Sequence, residues 1–399
     1  MSRLVAAGRT AGIVGAWVGV ATAGAAVGFA AERYVMGRSL KQDDPYADEP
    51  FGSLRGAART VVTDDGVALH VEVDDAAEAL DRGAPTLVFC HGFALTMDAW
   101  HFQRRDLRGS ARLVFWDQRG HGRSGPLPDD TELSFRRLGT DLGQLIDEVV
   151  PQGPIVLIGH SMGGMTLQAL AEERPELFGR RIVGAALIAT SGQKLDVSGL
   201  GLPGYLGRLA GRAAPAAVSI LARKPELVER GRKMGSDLAY VLTRRYAFAE
   251  GGSPKLVEFT AIMNAAVPID VVARFFPLFG ELDAAEAVPV LAKIPVLVIG
   301  GERDQMTPVQ HSRDLADTLV DVEYIEATDA GHMVLLERHE MVTEALRTLV
   351  ERTRRGGRPR RLSSRIASVR RRRPDRPAAG REVSGADESR KGQGERRKR

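Results

Sequence analysis

A single cysteine, Cys90, stands among 399 residues, so the chain can close no internal disulfide. It ends the apolar run Thr86-Leu-Val-Phe-Cys90, where a thiol behaves as a small buried hydrophobe. One cysteine cannot build a thiolate cluster, and no histidine or acid set falls at ligand spacing, so no metal is expected. A Gly-rich loop ending in Lys-Ser or Lys-Thr is also missing, which removes the phosphate cradle of nucleotide hydrolases. No cofactor is expected, and there are no internal repeats.

Charge is scarce in balance and abundant at one end. Of 55 basic and 51 acidic residues, 19 basic and 5 acidic lie between Arg352 and Arg399, a net of +14. The chain's total is +4, so the first 351 residues carry −10. An acidic body gives no nucleic-acid-binding surface, and none is expected. From Thr353 the sequence is Arg, Pro, Gly and Ser with little core material, and residues 353–399 read as a disordered basic tail. Within it Leu362, Ile366 and Val369 are spaced as one apolar stripe on a basic helix, a pattern suited to anionic lipid headgroups. A merely solvated tail is the alternative.

Thr10–Ala31 is uncharged over 22 residues and rich in Gly, Ala and Val. A helix of that length rises about 33 Å, enough to span a bilayer core. An uncleaved single-pass anchor is therefore expected within residues 1–40. The competing reading is a signal peptide with Arg3 and Arg9 as its charged start and a cleavage site near Gly28-Phe-Ala30, on an exported chain. Residues 41–58 read as a linker.

From Arg59 to Arg352 the texture is that of one globular domain. Val61-Val62 and Val67–Val73 flank Asp65-Gly66, a hairpin signal. Short unalternating apolar runs follow at Thr86–Cys90, Leu113–Trp116, Ile155–Ile158, Val183–Ile188, Val296–Ile299 and Val322–Ile325. Strands of that kind are covered on both faces, and helical patterns such as Leu138–Val150 and Met165–Glu173 lie between them. The alternation predicts an α/β fold with a doubly wound, mostly parallel sheet. Between Ile188 and Val296 no strand pattern occurs, while Tyr205–Leu221 and Pro225–Ala247 look helical. A crossover that long implies a helical insertion, about 193–288.

The chemistry-bearing residues sit where such strands end. Pro154–Ile158 runs into Gly159-His-Ser-Met-Gly163 and then a helix. In that setting the serine occupies a strained turn that lifts its hydroxyl off the sheet, and the glycines let backbone pack closely. Ser161 is the candidate nucleophile. A serine needs a base, and the base needs an orienting acid. Gly300-Gly-Glu-Arg-Asp304 follows one strand and Asp329-Ala-Gly-His332 the next, at the strand ends where α/β sheets place ligand sites. His332 is the candidate base and Asp304 the candidate acid, with Glu302 and Asp329 as rivals. The other seven histidines precede the nucleophile or fall on helical stretches. The backbone N–H groups of Met162, after the nucleophile, and Phe93, in the loop after Thr86–Cys90, are candidate oxyanion donors.

Taken in order, His91-Gly-Phe93, Asp117-Gln-Arg-Gly-His-Gly-Arg-Ser124, Gly159–Gly164, Gly301–Asp304 and Gly331-His332 resemble the successive motifs of the α/β-hydrolase superfamily. The resemblance is to its esterase, monoacylglycerol-lipase and cofactor-free haloperoxidase-like members. It implies that Asp117–Ser124 is a structural turn and that the insertion is a helical cap over the active site. Members that open epoxides or cleave carbon–halogen bonds carry Asp in the elbow, and Ser161 argues against both. The resemblance implies a serine hydrolase acting on a small, apolar carboxylic ester through an acyl-enzyme. Lactone, thioester or C–C hydrolysis, acyl transfer, or a membrane-tethered binding protein with an idle site are the alternatives. The expected partners are that substrate, a membrane through residues 10–31, and anionic lipid through the tail.

Overall fold

The computed structural model describes residues 44–77, 83–130, 132–195, 239–250, 252–319, 321–354 and the backbone of 365–367. The run Thr10–Ala31, the helical pattern Tyr205–Leu221 and the rest of the tail lie outside the described residues. Among the described residues, no single helix is long and apolar enough to cross a membrane.

The hairpin forms as expected, β1 (Ala57–Val62) against β2 (Ala68–Asp74), with Gly66 at φ +85° in its turn. Six strands then follow: β3 (Thr86–Cys90), β4 (Leu113–Trp116), β5 (Ile155–His160), β6 (Ile182–Ile188), β7 (Val296–Gly301) and β8 (Val322–Ala327). Their pairings with one another are all parallel, and β2 joins β4 antiparallel. With β9 (Arg365–Ala367), the sheet order is β1-β2-β4-β3-β5-β6-β7-β8-β9. The apolar runs mark the strands well but stop two residues short on β5, β7 and β8. The additional residues, such as Gly159-His160 and Gly300-Gly301, extend because neighbouring strands pair with them.

Each apolar run feeds two cores because successive side chains point to opposite faces. Leu87, Phe89, Phe115, Ile158 and Ile299 enter one layer, with Phe102 of α1 (His101–Leu107) and Leu349 of the C-terminal helix 339–354. Val88, Cys90, Trp116, Leu157 and Val298 enter the other, with Leu142 of α2 (Phe135–Val149) and Leu167 of α3 (Met162–Glu173). Cys90 is fully buried, its Sγ accepting the Trp116 Nε1 hydrogen at 3.3 Å, and burial pushes its thiol up to about 12. It is an inert packing residue.

Where it is described, the insertion is helical: α4 (239–247), α5 (Pro254–Ala266) and α6 (Ile269–Phe275). Phe275 is fully buried among Leu138, Met162, Met165 and Val271, an apolar seam between cap and sheet layer. Burial of one such side chain contributes about 1.5–3 kcal/mol.

One expectation needs correction. Residues 44–54, read as linker, are packed onto the domain. Phe51 stacks on Phe259 at 4.5 Å, Tyr46 meets Phe102 at 5.4 Å, and Asp44 accepts hydrogen bonds from Ser253 Oγ and Lys255 N at the start of α5. Two aromatic rings and a capping carboxylate give this segment partners far away in sequence. Within the stretch read as tail, residues 365–367 form a strand parallel to β8. An edge strand presents unpaired N–H and C=O groups, and a short extended segment satisfies them.

Candidate active site

The turn after β5 is strained where the sequence pattern requires it. Ser161 adopts φ +52°, ψ −120°, a conformation L side chains rarely occupy, and Met162 opens α3 directly after it. Such strain costs on the order of 1–3 kcal/mol and persists only where the surroundings over-determine it. Here Ser161 N donates to Ile188 O at 2.9 Å and Thr190 Oγ1 donates to Ser161 O at 2.7 Å. A Cβ on Gly163 would collide with Cys90 O, so α3 can lie this close to β3 only with glycine there.

The acid loop after β7 seats one carboxylate. Asp304 Oδ1 accepts the N–H groups of Met306 and Thr307, both at 2.8 Å. Its Oδ2 lies 2.8 Å from His332 Nδ1 and 2.8 Å from Thr307 Oγ1, whose hydroxyl is also 2.9 Å from Ala189 O. An acceptor carboxylate there requires the proton on Nδ1, leaving His332 Nε2 free to accept one. Both groups are buried. Glu302 instead accepts the Asp329 N–H at 3.1 Å, and Asp329 pairs with Arg303 at 2.6 Å. Neither rival acid has a hydrogen bond to His332 among the described residues.

Thr307 was not singled out by sequence, and neither was His160. The His160 ring is fully buried and its Nε2–H donates to the backbone oxygen of His332 at 2.9 Å, with the two rings 4.8 Å apart. Burial first, then the nearby His332, pushes its pKa well below the usual imidazole value.

The loop after β3 is held by two more histidines. His91 Nδ1–H donates to Gly92 O at 2.7 Å, while Nε2 accepts Gln118 N at 2.9 Å. His121 Nδ1–H donates to Arg119 O at 3.0 Å, while Nε2 accepts Ala94 N at 3.2 Å. Burial pushes His91 down to about 4 and, with His91 adding to it, His121 down to about 3. Both are therefore neutral near pH 7, and each can accept a backbone N–H. A Cβ on Gly92 would lie 3.1 Å from Ser161 Cβ, so this loop, with Phe93 next in line, runs directly beside the serine. Asp117 and Arg123 belong to a turn, as Asp117 accepts the N–H groups of Met97 and Arg123 at 2.7 and 2.9 Å. Only the spacing of histidines around strand ends hinted at these supports. Their partners are set by the fold.

Above His332 lies a mostly apolar cavity of about 350 Å³ between cap and sheet, lined by Phe93, Leu95, Leu242, Tyr246, Met306 and His332 among others. The Phe93 ring lines this cavity and also packs against Phe279 at 5.3 Å, so it serves both pocket and core. At the cap side, Asn264 Nδ2 donates to Thr243 Oγ1 at 3.0 Å. The described residues contain no group of histidine, cysteine and acid side chains that could hold a metal ion. The arrangement combines a serine on a strained turn, an imidazole oriented by a carboxylate and an apolar cavity at that imidazole. Such an arrangement can carry nucleophilic acyl chemistry.

Comparison with known proteins agrees at the level of fold and family. A 3-oxoadipate enol-lactonase of Acinetobacter baylyi is 27% identical over 67% of this chain and 89% of its own length. The dihydrolipoyllysine-residue acetyltransferase component of the acetoin cleaving system of Pseudomonas putida is 26% identical over 66% of this chain, which spans 63% of that relative. Among solved structures, an esterase from Thermogutta terrifontis superimposes with a TM-score of 0.58 at 23% identity, covering 75% of this chain and 99% of that one. The family model described as the alpha/beta hydrolase fold matches residues 85–339, well over half of the sequence, and the chain belongs to that family.

Proposed function

We propose that this protein is a serine hydrolase that cleaves carboxylic esters of small, apolar acyl or alcohol groups. The observation that carries the reading is the 2.8 Å contact of Asp304 Oδ2 with His332 Nδ1, at strand ends beside the Ser161 turn and beneath an apolar cavity. His332 Nε2 takes the hydroxyl proton as Ser161 Oγ attacks the acyl carbon. The N–H groups of Met162 and Phe93 receive the oxyanion, each such donor contributing about 2.7–4 kcal/mol. The imidazolium then protonates the departing alcohol. Water, activated by the same His332, releases the acid and restores the serine. Asp304 keeps the proton on Nδ1 throughout. The similarity to an enol-lactonase makes a cyclic ester a second substrate type for the same steps. By its uncharged run Thr10–Ala31, the protein would be held at a membrane, with the tail of net +14 against anionic lipid.

A fluorophosphonate should label the wild-type chain at Ser161 and leave Ser161→Ala unlabelled. Labelling at another residue, or full ester turnover by Ser161→Ala, would overturn the reading. An ester chain-length series on the unlabelled wild-type protein then defines the acyl preference.

A further inference from the structure

Beside the imidazole, the cap meets the His332 loop through backbone. Met333 N donates to Ala247 O, the last residue of α4, at 2.8 Å. Gly331 sits so close that a Cβ on it would lie 2.7 Å from both Ala249 N and Phe248 C. On its other side the loop rests on the end of β7, where a Cβ on Gly301 would lie 2.7 Å from Ala330 O, and Arg303 N donates to Ala330 O at 2.9 Å. Acid loop, base loop and cap thus form three stacked backbone layers.

One side chain reaches into this stack. Glu337 ends the short helix Val334–Glu337 that follows His332. Its Oε2 accepts the Gly331 N–H at 2.7 Å and its Oε1 accepts the Ala249 N–H at 3.0 Å. Burial raises its pKa, and the two N–H groups and Arg338 oppose that rise. Each oxygen takes one N–H, one from each layer, so a single carboxyl group holds both layers.

We propose that Glu337 is a positioning residue for His332, fastening the peptide just before the imidazole and the cap segment just after α4 to one carboxylate. The inference rests on the reading of His332 as the base. It makes seating of the cap and orientation of the base a single event. A Gln in its place has one acceptor oxygen and would turn an NH₂ toward one of the two N–H donors.

The test uses the full chain and its Glu337→Gln and Glu337→Ala variants. Fluorophosphonate labelling rate per folded molecule is measured beside kcat and KM for a short-chain ester. Displacements of about 1 Å in such sites can cost on the order of 10²-fold in rate. In Glu337→Gln the labelling rate and kcat should fall together by about tenfold while KM changes little, the mark of lost transition-state orientation. Glu337→Ala should fall further. If the alanine variant does not fold, the near-isosteric glutamine variant carries the test. Wild-type labelling and kcat in Glu337→Gln, or a loss confined to KM, would overturn the proposal and leave Glu337 as a staple of the cap. A wild-type chain that takes no label would overturn the hydrolase reading itself and this inference with it.

Discussion

The loops after β5, β7 and β8 and the cap above them are held by different forces. In the loops, directional bonds dominate: Asp304 accepts from Met306 N, Thr307 N and the imidazole, and Ser161 is fixed by Ile188 O and Thr190 Oγ1. In the cap, rings do most of it, Phe275 and Phe279 around Phe93 and Phe259 against Phe51. Hydrogen bonds have preferred angles and distances, whereas apolar burial scales with area and tolerates rearrangement. A site loop should therefore fail sharply when altered. The cap should adapt, shifting preference before it loses function.

The largest expected effect tests the loop side. Ser161→Ala should lose kcat by on the order of 10⁶ and keep its thermal unfolding midpoint, measured by ester hydrolysis and calorimetry. Next, Asp304→Asn should lose on the order of 10⁴ in kcat, because the amide stabilises the wrong imidazole tautomer. Glu302→Gln should stay within a few-fold of wild type, and reversed magnitudes would move the acid to Glu302. On the cap side, Leu242→Trp narrows the cavity. It should lower kcat/KM for long acyl esters by about 10-fold relative to acetate, roughly the worth of one or two methylenes. Equal loss for both chain lengths would show that the cap is as rigid as the loops.

A smaller effect concerns pH. The depressed His91 and His121 stay neutral in the folded protein while the unfolded chain takes up protons below about 6.5. Their contribution is fully present above that pH and is lost as pH falls through the window toward about 4 and 3. The unfolding midpoint should drop across that range, and less steeply in His121→Gln, which keeps an amide acceptor without the titration. Identical slopes would remove His121 from the account. The smallest effect on turnover, none, is expected from deleting Arg355–Arg399, whereas co-sedimentation of a chain lacking residues 1–43 with anionic vesicles should vanish on that deletion and weaken with salt. Retained co-sedimentation would place lipid contact on the folded body.

The sheet and the order of Ser161, Asp304 and His332 were legible because each rests on a local pattern: an apolar run, then a glycine-containing turn. Ile155–Ile158 before Gly159-His-Ser161 needs no distant residue to be recognised. Choices between near neighbours were harder to read, although Asp304 was preferred to Glu302. Glu302 and Asp304 share one loop, and which carboxylate meets the imidazole depended on the N–H groups of Met306 and Thr307 and on where β8 delivers His332. Tyr46 and Phe51 looked like linker residues because their partners, Phe102 and Phe259, come much later in the chain. Glu337 carried no signal in the sequence, and only the approach of Ala249 to Gly331 gave both its oxygens a donor. Local propensity and period can be read from a few adjacent residues. Which distant N–H, ring or carboxylate arrives beside them is decided by packing of the whole chain, and there the tertiary structure alone had the answer.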